Sequence, residues 1–320
     1  MVKRKNTIIS VCLFVLIFGA LLITATFTDL QVSHILTKFS LPEGQYYADD
    51  IFGSLFATVG CLPIYLMLGF AFHLIFWNSL LRVTNKAAKY ALAVLSTSLG
   101  VTAYTIMFKD TLGYIFKLIG YEKGMDAAFI MFVLTFLGCV FCFFATFAVR
   151  SMKDETIKNL LTFAIAVIII AAVANGFVNI IKIPVGRMRY RSMNTVGGQS
   201  IGGFANFTRW YVFNGQMDKQ QMRELFGTTD ACKSFPSGHT CSAGMTYCLI
   251  MLIDALGIKS RGKKAALWIC PVIYTGIVAV SRIMVGAHFF SDVLVGGTIA
   301  FVTMIIVREI MLCKFSHFKK

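Results

Sequence analysis

The strongest limit on how this chain can fold is a series of eight apolar stretches, each close to the ~20 residues needed to cross the hydrocarbon core of a bilayer. They lie near residues 7–29, 52–77, 87–108, 127–149, 159–181, 240–257, 265–284 and 290–311. Composition agrees: 57% of the 320 residues are hydrophobic and 14% charged, and the mean hydropathy is +0.74. A soluble domain carries about 25% charged residues. Backbone polar groups inside lipid must be satisfied within their own segment, which favours helices. The predicted fold class is therefore an all-α integral membrane protein with about eight transmembrane helices. Lys3, Arg4 and Lys5 precede the first stretch, but it is longer than a signal-peptide core and no small-residue cleavage site follows. It reads as a retained anchor.

Orientation follows from the basic residues of the connections. Segments 1–6, 78–86, 150–158, 258–264 and 312–320 total 40 residues and carry 15 Lys and Arg. The loops 30–51 and 109–126 also total 40 residues but carry four. Positive residues accumulate on the cytoplasmic side, so both termini are expected there. Compact loops and the lack of organelle signals point to a bacterial cell membrane. The net charge of +15 is explained by these clusters, so no nucleic-acid partner is expected. The nine cysteines, most of them inside apolar stretches, suggest small hydrophobes, with neither a disulfide framework nor a metal site.

Segment 182–239 departs from the charge pattern, with eight basic and three acidic residues on the non-cytoplasmic side. Three polar groups fall on that side. Lys182 is followed seven positions later by Arg189, with Arg187 and Arg191 nearby. Pro236-Ser237-Gly238-His239 directly precedes the sixth stretch. Ser281-Arg282 closes the seventh, and His288 and Asp292 open the eighth. Lys182, Arg189 and Arg282 are cations suited to a phosphate, and guanidinium forks match its oxygens. Ser237 and Gly238 stand at a helix start, where free amides and the dipole attract anions. His288 and Asp292 are four apart, on one helix face, so the carboxylate can orient the imidazole. Two histidines beside an anion cradle suggest a nucleophile, His288, and a general acid, His239. Asp218–Phe226 reads as a short amphipathic helix ended by Gly227, Gly296-Gly297 as a helix-packing surface, and His34, His73 and His317 as structural.

These groups resemble the three signature motifs of the type 2 phosphatidic acid phosphatase superfamily. The first appears as Lys182 to Arg189, followed by Tyr190 where the family has Pro; the second, 236–239, and the third, 281–292, match in full. The resemblance implies phosphate binding by Lys182, Arg189, Ser237, Gly238 and Arg282. It implies His239 as acid, His288 as nucleophile and Asp292 as its partner. It also implies a six-helix core over 87–320, containing the extracytoplasmic loop 182–239, with 1–86 as an added N-terminal transmembrane hairpin. The expected activity is hydrolysis of a phospholipid or polyprenyl phosphate or diphosphate monoester, through a phosphohistidine and with no metal or cofactor. Transfer of the phosphoryl group to a lipid alcohol, and a soluble phosphate ester as substrate, remain open. No obligate protein partner is inferred.

Overall fold

The computed structural model describes residues 2–37, 51–119 and 128–314, which are helical with no strand. Helices α1 (Val2–Thr37), α2 (Ile51–Arg82), α3 (Lys86–Leu118) and α4 (Ala128–Arg150) are followed by the short α5 (Asp154–Asn159) and the long α6 (Leu161–Val185). The segment to residue 237 carries α7 (Tyr190–Met193), α8 (Val196–Ser200), a 3-10 turn (Gly203–Asn206) and α9 (Lys219–Phe226). The last part holds α10 (Gly238–Ala243), a 3-10 stretch (Gly244–Met251), α11 (Leu252–Ala255), α12 (Arg261–Met284) and α13 (Phe290–Arg308), which ends in a π-turn.

Among the described residues, seven helices are long and apolar enough to cross a membrane. The sixth expected stretch, 240–257, differs in form. It is a continuous helical run, Gly238–Ala255, that passes through eight residues of 3-10 helix between two α pieces. The 3-10 form rises 2.0 Å per residue against 1.5 Å, so this run extends about 31 Å, the thickness of a bilayer core. A run that looks short by α-helical arithmetic is still long enough to cross.

The bundle is centred on α6, whose Phe163, Val167 and Ile170 pack with Leu74 of α2, Met245 and Cys248 of the 3-10 stretch and Met304 of α13. Helix α2 runs along α3 and also packs on α6, α10 and α12, while α1 lies against α13 and α12. Leu13, Leu16 and Ile23 of α1 and Phe129, Phe132, Phe136 and Phe144 of α4 are exposed. Apolar faces this extensive are sustained by lipid, not water. Of the structural histidines, His34 bonds Tyr190 Oη at 2.8 Å, and His73 bonds Tyr104 Oη and Thr146 Oγ1, both at 3.0 Å. His317 and the loop residues 38–50 and 120–127 lie outside the described residues.

The segment between α6 and α10 folds as a cap. Helix α9 forms over nearly the expected residues: Asp218 accepts the amides of Gln220 and Gln221 at its start, and Gly227 (φ 64°) ends it. Its Met222 and Phe226 are buried with Met193, Cys232 and Phe289. Trp210 stacks on Phe235 and donates to Thr26 Oγ1 of α1 at 2.9 Å, tying the cap to the bundle.

Candidate active site

Helix α6 ends so as to leave Lys182 in its last turn. Gly186 adopts φ 53°, its amide donates to Lys182 O at 3.2 Å, and a β-carbon there would lie 1.6 Å from Gly215 O. Only glycine fits a left-handed turn that close to another backbone. The chain then runs extended through Arg187 and Arg189. Arg189 N donates to Ala231 O at 2.9 Å, and Ser234 N donates to Arg187 O at 3.0 Å. Arg191 N reaches Gly286 O, and Ser237 N reaches Asp292 O, each at 2.9 Å. Backbone hydrogen bonds thus staple the three sequence motifs to one another. Gly296 completes the seam: its missing side chain lets α13 approach the Ser237 backbone, where a β-carbon would lie 2.4 Å from the carbonyl. The Gly296-Gly297 pair is a packing surface, as expected.

Ser237 caps α10, its Oγ accepting the Thr240 amide at 3.3 Å, and it is fully buried. Gly238 faces Lys182, whose Nζ would lie 3.6 Å from an added β-carbon. Arg282 is buried at the end of α12, where Nη2 donates to Gly53 O of α2 at 2.9 Å; its carbonyl accepts the amides of Ala287 and His288. Arg189 is buried and ion-pairs with Asp230 at 3.2 Å. Lys182, Gly238 and His239 are half-buried, whereas Ser237, Arg282, Arg189 and His288 are buried.

His288 is 1% exposed, and its Nδ1 lies 2.6 Å from Ser234 O. A carbonyl can only accept, so the proton sits on Nδ1 and the Nε2 lone pair is free. Burial pushes the His288 imidazole down to about 3, outweighing the opposing pull of Asp292. It is therefore neutral at pH 7, the state a nucleophile needs. His239, on the first turn of α10, stands within electrostatic reach of Arg282, His288, Arg189 and Lys182. That mutual influence places both histidines and all three expected cations around one site.

Two features differ from the motif-level picture. The tautomer of His288 is set by the Ser234 carbonyl, with Asp292 Oδ2 standing back at 3.7 Å from Nδ1. Asp292 instead accepts from Ser234 Oγ at 2.5 Å, from Phe289 N at 2.8 Å and from Arg187 Nη1 at 2.6 Å. Arg187 is 0% exposed, bonded to two carboxylates and the Thr208 carbonyl, and packed against the Phe207 and Phe289 rings. It has no face left for a ligand, so Arg189 is the cation of the first motif that stands at the site. Sequence reasoning also missed Tyr114 of α3, whose hydroxyl lies 2.8 Å from His239 Nε2 and holds that ring. It missed Asp29 of α1, the partner of Arg187 at 2.9 Å. An acid inside an apolar stretch is itself a flag; nothing in the local sequence around Tyr114 marks it.

An apolar groove of about 460 Å³ lies between α2 and α12, lined by Phe52, Phe56, Ile273, Ile277, Val280 and Met284. Ser281, next to Arg282 in the chain, also lines it.

Residues 159–314, which contain all three motifs, match the PAP2 superfamily. Phosphatidylglycerophosphatase B of Bacillus subtilis (strain 168) is 36% identical over 77 residues, 23% of this chain and 37% of that protein. The chain thus aligns with little more than a third of that relative's length. No solved structure matches.

Proposed function

We propose, from the match of residues 159–314 to the PAP2 superfamily, that this chain is a membrane phosphatase acting on lipid phosphate or diphosphate monoesters through a phosphohistidine. The observation that carries the proposal is the pairing of a neutral, buried His288, its Nε2 lone pair free, with three cations and a helix start. In the first half-reaction, His288 Nε2 attacks phosphorus, the bond to the leaving oxygen breaks, and His239 delivers the proton that oxygen needs. In the second, His239 takes a proton from water, the oxygen attacks phosphorus, and the P–N bond breaks to release phosphate. Lys182, Arg189, Arg282 and the α10 amides neutralise the oxygens throughout. The apolar groove that Ser281 also lines favours a substrate with an apolar tail over a soluble ester.

The catalytic face is extracytoplasmic and both termini cytoplasmic, a reading that rests on the distribution of Lys and Arg in the loops. The setting is a bacterial cell membrane, a reading supported by similarity to a Bacillus protein. The direct test is phosphate release from a panel in detergent micelles: phosphatidic acid, phosphatidylglycerol phosphate, a polyprenyl diphosphate and glucose 6-phosphate, each with and without chelator. Turnover of at least one lipid, unaffected by chelator, is expected; hydrolysis of glucose 6-phosphate alone would overturn the lipid reading.

Burial of His288 also sets the expected pH response. A nucleophile lowered to about 3 is already neutral throughout pH 5–8, so the acid limb lies below that range. A bound phosphate dianion raises His239 by offsetting the surrounding cations, and above its value in the complex the acid is lost. Measured kcat should therefore fall with rising pH, approaching tenfold per unit, over a single limb. A kcat that instead rises with pH would rule out His239 as the acid.

A further inference from the structure

Helix α13 begins with a residue that cannot cap it. Phe289 occupies the capping position and has no acceptor in its side chain, yet this helix starts directly after His288 in the chain. Two carboxylates supply the cap. Asp292 takes the Phe289 amide, and Asp29, from α1, takes the Ser291 amide at 2.8 Å through Oδ1. Asp29 Oδ2 accepts from Ser291 Oγ at 2.5 Å and from Arg187 Nη2 at 2.9 Å. The other end of the same guanidinium, Nη1, donates to Asp292 Oδ1 at 2.6 Å and to Ser291 Oγ at 2.8 Å. Asp29 is 2% exposed and Asp292 0%. Arg187 is therefore shared between two carboxylates in a closed network, and only one of these acids belongs to a motif. Asp29 lies well outside residues 159–314, on a helix whose other described residues are largely lipid-facing.

We propose that Asp29 is a positioning residue of the phosphatase, acting through Arg187 and Ser291 to hold Asp292 and the start of α13 where they support His288. The physical reason lies in charge balance. Without Asp29, Arg187 has one carboxylate to itself and draws Asp292 away from Ser234 and from the imidazole, which becomes cationic as its Nε2 bonds to phosphorus. Ser234 is the hinge of that response, because it touches both Asp292 through Oγ and His288 through its carbonyl. The phosphate cradle of Lys182, Arg189 and Arg282 is made by other residues, so binding should survive where chemistry does not.

This inference rests on the phosphohistidine reading, and the experiment separates the two. Steady-state phosphate release is measured on the full chain in detergent with a short-chain phosphatidic acid, or whichever panel lipid is turned over, for wild type, His288→Ala and Asp29→Asn. Inorganic phosphate serves as a product inhibitor. Asp29→Asn should lower kcat roughly 10- to 100-fold, the range typical when a partner orienting a functional histidine is lost, with KM and the inhibition constant for phosphate within about twofold. A kcat within twofold of wild type, or a fall in kcat and phosphate affinity together, would overturn the proposal. Asp29→Glu is the second variant, since it keeps a carboxylate for Arg187 and the Ser291 amide. It should recover most of the kcat lost in Asp29→Asn, with thermal unfolding of both variants recorded beside the assay; a kcat loss in Asp29→Asn that only matches its loss of folded protein would show that Asp29 serves stability alone. If wild type releases no phosphate from any substrate, or His288→Ala retains turnover, the phosphohistidine reading fails instead.

Discussion

Replacing His288 with alanine should lower phosphate release by at least about 10⁴-fold, a loss on the scale seen when a covalent nucleophile is removed from a hydrolase. Two observations set the expectation. Its Nδ1–H is committed to the Ser234 carbonyl, and burial keeps the ring neutral, so Nε2 is a poised electron pair with no other task. Truncation leaves that carbonyl without its donor, which costs about 1–3 kcal/mol of stability, so the assay is read beside a thermal unfolding curve. The second readout is chemical: rapid quenching of wild type with ³²P-labelled lipid in alkaline detergent should trap a base-stable phosphoenzyme that is lost on acid treatment, and His288→Ala should trap none. Turnover near the wild-type rate, or label retained in the variant, would end the phosphohistidine reading.

The next largest effect should come from a residue with no chemistry. Gly296→Ala puts a methyl group 2.4 Å from the Ser237 carbonyl oxygen and 3.2 Å from its carbon and nitrogen. All three are backbone atoms, so no flexible side chain can move aside. Either α13 or the start of α10 must retreat by about 1 Å, and displacement of that size in a catalytic constellation costs about 100-fold in rate. Both elements carry site residues, His239 on one and Asp292 on the other. The control is Gly176→Ala on α6, where nothing lies within 4 Å of the added carbon. It should leave kcat/KM unchanged and firm the helix by up to ~1 kcal/mol. Equal activity in the two variants would show that contact between α13 and the second motif is dispensable.

Much of the bundle was legible because lipid imposes one rule at a time. Length and apolarity locate the helices, as the seven regular spans illustrate. The 3-10 form of Gly244–Met251 was not legible, because its residues are as apolar as any α-helical span; the close approach of α13, where Ala300 Cβ would come within 2.6 Å of a β-carbon on Gly244, is a tertiary contact. The cradle was legible through local spacing: a Lys and Arg seven apart, a serine and glycine before a helix, a His and Asp one turn apart. The roles of Arg187 and Arg189 could not be separated that way. They are two residues apart in one extended segment, and only their partners differ, Asp29 and Asp292 for one and Asp230 for the other.

The sequence by itself determined that the chain is a helical membrane protein, with three short motifs that resemble those of one superfamily and hold two histidines and three cations. Those properties depend on hydropathy, charge and short spacing, which act over one or two helical turns. The tertiary structure decided that Ser234 sets the His288 tautomer, that Tyr114 holds His239, and that α1 reaches into the network through Asp29. In a bundle bathed in lipid, faces that meet protein and faces that meet acyl chains are both apolar, so the pattern along a helix does not reveal its neighbours. Which polar side chains meet is settled when the helices pack, by the requirement that each buried charge and amide find its partner.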